Sequence, residues 1–207
     1  MYTKNNNQEK FWKGKFGALY INRNKSKNKI TNNIHFFKKA LSKANKINSV
    51  CELGSNIGLN ILALKDLYKK KLKKILSVEI NERAFNIQKK KIKNIKILNT
   101  SINSLDINEQ FDLVLCKGIL IHINPKNLYQ TYKKMNKLSK KYILIAEYFN
   151  PSPIKINYRG YKDKLFKRDF AKEYLKINKK SKLLDYGFIY EKDKFPQDNI
   201  TWFLIKK

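Results

Sequence analysis

The stretch from Val50 to Lys65, VCELGSNIGLNILALK, passes from an apolar strand-like run through Glu-Leu-Gly and a polar turn into a helical pattern. Gly54 lets the chain reverse sharply, and Gly58 lets the helix pack close to the strand. Between them Ser55 and Asn56 fill a turn whose bare backbone leaves room for a small ligand. Glu52 ends the strand with a carboxylate that suits an ammonium group better than a pyrophosphate. The dinucleotide fingerprint G-x-G-x-x-G is absent, because Asn56 stands at its middle glycine position. The next strand ends in Glu79 and Ile80, at the spacing where an acid accepts hydrogen bonds from two ribose hydroxyls. Ser101 and Ile102, after the third strand, sit where backbone and small side chains would hold an adenine edge. Lys117 and Gly118, after the fourth, would flank the same ligand, and His122 in the following loop is a candidate for proton transfer. A ribose, an adenine and a cationic amino-acid end together describe S-adenosylmethionine (SAM). Its chemistry needs no metal, only a nucleophile aligned about 3 Å from the methyl carbon. Each feature also has a plainer reading: a tight turn, a helix-dipole charge, a polar loop, a structural histidine.

Those residues meet only if the chain forms a sheet with its strand ends on one side. TNNIHFFKKALSKAN has helical spacing behind a capping Thr31. The strand SVCEL is followed by the helix IGLNILALKDLYKK, KILSVEI by NERAFNIQKKKI capped by Asn81, and IKILNT by a polar turn and FDLVLCKG. NPKNLYQTYKKMNKLS reads as a helix with Pro125 in its first turn. KYILIAEYF is a strand, KRDFAKEYLKI a helix, and KLLDYGFIYEKD and NITWFLIKK are final strands with KFPQD between them. The alternation predicts an α/β fold with a mostly parallel seven-stranded sheet and a C-terminal antiparallel hairpin. Residues 1–30 are expected to form an arm or lid over the cofactor site, and 31–207 the cofactor-binding domain.

Forty-six Lys and Arg stand against 16 Asp and Glu in 207 residues, a formal charge of +30. Such a balance points to nucleic acid. However, only Arg23, Arg83, Arg159 and Arg168 are arginine, and the lysines run along the whole chain with Asn and Ile, as in an A/T-rich genome. Against that background an arginine marks a place that needs a planar fork. Nucleic acid is therefore not the expected partner. No apolar window could span a bilayer and MYTKNNNQEK carries no secretory core, so a cytoplasmic chain is expected. Cys51 and Cys116, inside apolar strands, fit buried thiols in a reducing compartment rather than metal ligands.

Four stretches resemble one family: FWKGKFGALYINRN, CELGSNIGLN, CKGILIHINPKNL, and EYFNPSPIKINYRGYKDKLFKRDFAKEYL running on to LLDYGFIYEKDKFPQDNITWFL. The chain is similar to class I SAM-dependent methyltransferases, and among them to the pseudaminic acid biosynthesis-associated methylases. The resemblance implies a Rossmann-like methyltransferase fold and methyl transfer to a small molecule, a sugar or nucleotide-sugar intermediate of surface-glycan synthesis. Other small-molecule acceptors, intramolecular SAM chemistry, RNA modification or binding, and a non-catalytic SAM scaffold remain alternatives.

The same stretches have a physical reading. Trp12, Phe16 and Tyr20 could cover a sulfonium with aromatic faces, and Arg23 could clamp a carboxylate. Tyr148, Asn150, Tyr158, Arg159, Lys162, Arg168 and Asp169 gather hydrogen-bonding groups after the fifth strand, where Pro151 and Pro153 stiffen an extended loop. They suit an anionic or hydroxyl-rich substrate. Trp202 stands near the rim. Tyr148, His122 and Asp169 are the candidates for the general base.

Overall fold

The computed structural model describes residues 7–24 and 28–207. The arm expected over 1–30 is therefore described over 7–24 and 28–30; the segment 1–6 and residues 25–27 lie outside the described residues. Helices α1 (Asn7–Lys13) and α2 (Lys15–Tyr20) form the arm, and a short 3-10 turn (Ile21–Asn24) follows. Helix α3 (Lys29–Ala40) begins at Asn28, so Thr31 lies inside it and is not its cap.

The Rossmann-like core then alternates as its apolar runs require. Strand β1 (Ser49–Leu53) leads to α4 (Leu59–Tyr68), β2 (Lys74–Glu79) to α5 (Glu82–Lys91), and β3 (Lys96–Asn99) to β4 (Phe111–Lys117). Helix α6 (Pro125–Leu138) connects to β5 (Ser139–Glu147). The chain continues through β6 (Ile154–Tyr158), β7 (Tyr161–Lys167), α7 (Phe170–Ile177), β8 (Lys182–Ile189) and β9 (Ile200–Lys206). Seven strands form one sheet in the order β3-β2-β1-β4-β5-β9-β8, parallel through β5 and antiparallel at β9 and β8. The strand order reverses between β1 and β4, and that switch point is where an open α/β sheet leaves a crevice for ligand.

Apolar side chains alternate to the two faces of the strands. Val50, Leu113, Leu115, Leu144 and Leu204 pack with Phe36, Phe37 and Leu64 of α3 and α4. Cys51, Val114, Cys116 and Ile143 pack on the other face with Tyr132, Met135, Phe170 and Tyr174 of α6 and α7. Both cysteines are buried and free. Trp202, expected near the rim, is only 2% exposed and belongs to the α3–α4 core. Gly187 on β8 makes room for it: a Cβ there would stand 2.7 Å from the indole.

The stretch after β5 is not an extended loop. It folds back as the antiparallel pair β6–β7, a second small sheet. Arg159 and Gly160, both with positive φ (55° and 83°), turn it, as a two-residue hairpin with the strands' own twist requires. The arm packs on this hairpin: Phe11 and Phe16 stack at 4.1 Å and both contact Tyr161.

Asn81 fastens the arm to the sheet. Its Oδ1 accepts from the Ala84 N–H and caps α5, while its Nδ2 faces the Trp12, Lys13 and Gly14 carbonyls at 3.0, 3.2 and 3.4 Å. The expected cap is present and also serves the last turn of α1.

Trp202→Ala should cost about 3–5 kcal/mol, as large-to-small changes in a packed core do. A lowered denaturant midpoint would show it, and Lys192→Ala, on an exposed turn, should move that midpoint by less than about 0.5 kcal/mol.

Candidate active site

At the carboxyl ends of the strands lies a cavity of about 440 Å³. Its base is the elbow after β1. Gly54 adopts φ 75°, and a Cβ there would come within 2.6 Å of Ile119. Gly58 (φ 81°) caps α4 without lining the cavity; a Cβ there would meet Ile92, the residue that ends α5, at 2.4 Å. The two glycines thus divide the work, one opening the site and the other closing the helix against its neighbour.

The Glu79 carboxylate holds the elbow in place. Oε2 accepts the Asn56 N–H at 2.6 Å and Oε1 the Asn81 N–H at 2.7 Å. Burial raises its proton affinity, and the Asn81, Asn56 and Ile80 N–H groups oppose that. The carboxylate keeps acceptor capacity beyond these N–H groups, and the residue lines the cavity. Behind the elbow, the hydroxyls of Ser55 and Ser77 lie 2.6 Å apart, and the Gln88 amide bridges them and the Asn56 carbonyl.

Among the expected cofactor residues, Trp12, Tyr20, Gly54, Ser55, Asn56, Glu79, Ile80, Ser101, Ile102, Lys117 and Gly118 line this cavity. Glu52 does not. Its Oε1 accepts Asn60 Nδ2 at 2.6 Å, and its Oε2 has no partner among the described residues. Asn60 stands between it and the cavity wall, so no direct contact with an ammonium group follows. Burial pushes the Glu52 carboxyl up to about 8, with Asn60 and Lys117 pulling the other way.

Arg23 lies in a second, outer chamber of about 860 Å³ rather than the inner one. Tyr20, Lys29, Tyr148, Tyr158, Glu191 and Asp198 line both. In the outer chamber three cations sit over three rings: Arg23 over Tyr20 at 5.7 Å, Arg159 over Tyr158 at 5.5 Å and Lys167 over Tyr148 at 5.5 Å. With Lys29 they make four cations against Glu191 and Asp198.

The remaining expectations are corrected. Arg168 pairs with Glu173 at 2.7 Å, and Glu173 also accepts the Tyr132 hydroxyl at 2.9 Å; the guanidinium is spent on holding α7. Asp169 caps α7 by accepting the Lys172 N–H at 2.9 Å. Neither residue lines a chamber, nor do Lys162 on β7 and Asn150, whose amide donates to the Ser152 carbonyl at 2.5 Å.

His122 and Tyr148 do line the inner cavity. His122 is buried against Trp12, ring centroids 4.4 Å apart, with Nδ1 2.8 Å from the Lys164 carbonyl oxygen. Burial holds its pKa down at about 4. Burial also raises the Tyr148 phenol, with Asp198 adding to it.

Glu147, at the end of β5, was missed. Its Oε1 accepts the Ile119 and Leu120 N–H groups at 2.9 and 2.8 Å, its Oε2 has no partner among the described residues, and burial pushes it up to about 8. The sequence carried the signal: β2 and β5 end an apolar run in glutamate, and β1 carries one a residue before its end. Asn60 is a further lining residue outside the expected set, and Asp198, from the KFPQD stretch at the rim, also lines the cavity.

A family model described as a methyltransferase domain matches residues 50–141, the span from β1 to the start of β5. A comparison with curated protein sequences finds no match. Among solved structures the chain resembles an S-adenosylmethionine-dependent methyltransferase from Clostridium acetobutylicum, at 15% identity and TM-score 0.64, covering 92% of this chain and 97% of that one. It also resembles the 1,6-didemethyltoxoflavin-N1-methyltransferase of Burkholderia thailandensis, solved with S-adenosylhomocysteine (11%, TM-score 0.67, 93% and 85%). A third is the N-methyltransferase NodS of Bradyrhizobium japonicum in complex with S-adenosylhomocysteine (12%, TM-score 0.65, 90% of each chain). At these identities the likeness establishes the fold: this chain has the Rossmann-like fold of class I methyltransferases.

The residues present fit SAM. The cavity has the volume of a small-ligand site, Gly54 brings bare backbone to its base, Glu79 lines it, and the Asn60 Oδ1 on its wall is buried without a donor among the described residues. No cluster of three or more His, Cys, Asp or Glu that could hold a metal occurs among the described residues, and no helix among them is long and apolar enough to cross a membrane.

The His122 environment has a consequence for stability. An unfolded His binds a proton near pH 6.5, whereas the folded ring refuses it until about pH 4. Its contribution is complete above pH 6.5 and is lost as pH falls towards 4, by up to about 3 kcal/mol. Urea titrations at pH 7 and 4.5 should show a smaller difference for His122→Asn than for the wild type.

Proposed function

We propose that this chain is a SAM-dependent methyltransferase acting on a small anionic or hydroxyl-rich acceptor, a sugar or nucleotide-sugar intermediate of surface-glycan synthesis. One observation carries the reading: Gly54 and Glu79, from the ends of two adjacent strands, line a single cavity at the switch point. When bound, SAM supplies an electrophilic methyl group on a sulfonium. In this reading Glu79 receives the ribose hydroxyls, Ser101 and Ile102 flank the adenine, and the elbow backbone lies along the methionine portion. Trp12 and Tyr20 close the top, so the arm acts as a lid. The outer chamber takes the acceptor. Its four cations attract an anionic group, and the exposed Arg23 and Arg159 offer planar forks for phosphate or carboxylate. Tyr20, Tyr148 and Tyr158 offer ring faces and hydroxyls to a polyol. The sugar acceptor itself is what the sequence resemblance contributes.

Isothermal titration of the full chain with SAM and with S-adenosylhomocysteine should give saturable binding of both. Glu79→Gln replaces a charged acceptor with an amide that can satisfy fewer N–H and hydroxyl donors. Loss of hydrogen bonds to a charged group is worth about 1.5–3 kcal/mol, so affinity for both should fall about 10- to 100-fold. Unchanged affinity in a variant of wild-type melting temperature would refute the ribose role.

A further inference from the structure

Lys117 is the last residue of β4, beside the switch point. The pair Leu53–Cys116 is in register just before Gly54, and Lys117 itself is opposite Ala146, just before Glu147. Its side chain turns to the α3 face, with Nζ 5.5 Å from the Phe36 ring centroid, and lines the inner cavity. A half-buried ammonium ordinarily holds a carboxylate in hydrogen-bond contact. Lys117 makes no ion pair and no hydrogen bond with the described residues. The charged groups that face it come from four elements. Burial disfavours its charge; Asp198 of the β8–β9 loop, Glu52 of β1 and Glu147 of β5 favour it, and Lys29 of α3 opposes it. Two of these acids are weak counter-ions at neutral pH, since Glu52 and Glu147 are each pushed up to about 8.

The other candidates are poorly suited to take a proton: burial holds His122 down at about 4 and raises the Tyr148 phenol, which keeps its own proton, and Asp169 is a helix cap outside both chambers. We propose that Lys117 is the proton acceptor of the transfer, its Nζ entering the reaction as a neutral amine and taking the proton of the acceptor's hydroxyl or amine. This rests on the reading of the cavity as a SAM site. A fixed positive sulfonium in the same cavity disfavours a second cation there, so cofactor binding itself frees the Nζ lone pair. In the transfer, the bond from the acceptor atom to the methyl carbon forms and the methyl–sulfur bond breaks, its electron pair staying on a neutral thioether. The acceptor's proton goes to Nζ. One positive charge leaves sulfur as another appears on nitrogen, so the net charge enclosed by the protein is the same before and after.

The test is NMR of the full chain labelled with [¹³Cε]lysine, with the Lys117 signal assigned by its loss in Lys117→Arg. In complex with SAM, Lys117 should lose its proton at a pH where the proton concentration is at least tenfold higher than in the S-adenosylhomocysteine complex. Equal midpoints in the two complexes overturn the proposal. Calorimetry adds a second readout. Lys117→Arg, with a cation that cannot give up its proton, should weaken SAM at least fivefold relative to S-adenosylhomocysteine, whereas Lys117→Gln should bind SAM as tightly as the wild type. If Lys117 instead clamps the carboxylate common to both ligands, Lys117→Gln weakens both alike and Lys117→Arg restores both, and that pattern overturns the role. Failure of the wild type to bind either ligand has a different meaning: it overturns the cavity reading, and this role with it.

Discussion

The site depends on one carboxylate. Glu79 binds the N–H groups of Asn56 and Asn81 with separate oxygens, so the end of β2 fixes both the elbow after β1 and the start of α5. A loop containing two glycines with φ near 80° has many conformations open to it in the unfolded chain. Two backbone N–H groups bound to one buried carboxyl group select one of them. The Ser55, Ser77 and Gln88 network supports the same loop from behind. The residue that shapes the elbow therefore also lines the cavity, and the loop is preorganised by a group on the cavity wall.

Preorganisation has an electrostatic side. Three strands deliver glutamates to the ligand end of the sheet, and all three are buried. Such groups are costly to ionise without compensation, and only Glu79 has both oxygens satisfied. Glu52 and Glu147 each keep one oxygen without a donor among the described residues. Unsatisfied buried acceptors of this kind are few in native proteins. The region pairs a weakly compensated lysine with weakly ionised acids, a balance that any bound charge will shift.

Much of this was legible in the sequence because the physics is local. The alternation of apolar strands and amphipathic helices, the elbow glycines, the Asn81 cap and Glu79 all follow from neighbours within a few positions. The pattern of Ile200, Trp202 and Leu204, alternate residues on one strand face, also marked Trp202 as core; its place near the substrate stretch obscured that. What failed was inference from residue type alone. Arg168 was singled out because arginine is scarce, yet Glu173, five residues on, takes its guanidinium. Asp169 looked chemical, but an acid just before an amphipathic run is first a helix cap. The β6–β7 hairpin was hidden because its strands are largely exposed and so lack the apolar signature of a core strand. Glu147 and Lys117 gain their meaning from the burial and the partners that the fold alone reveals.

Asn81 illustrates how narrow some positions in this molecule are. Its amide gives an acceptor to one helix start and a donor to one helix end, and these are opposite demands. An aspartate would preserve the first and set a negative oxygen against three carbonyls; a lysine would do the reverse. Slow hydrolytic deamidation at this single position would thus leave the sheet intact while unlatching the N-terminal helix from it, a form of ageing that a melting curve dominated by the sheet would not register.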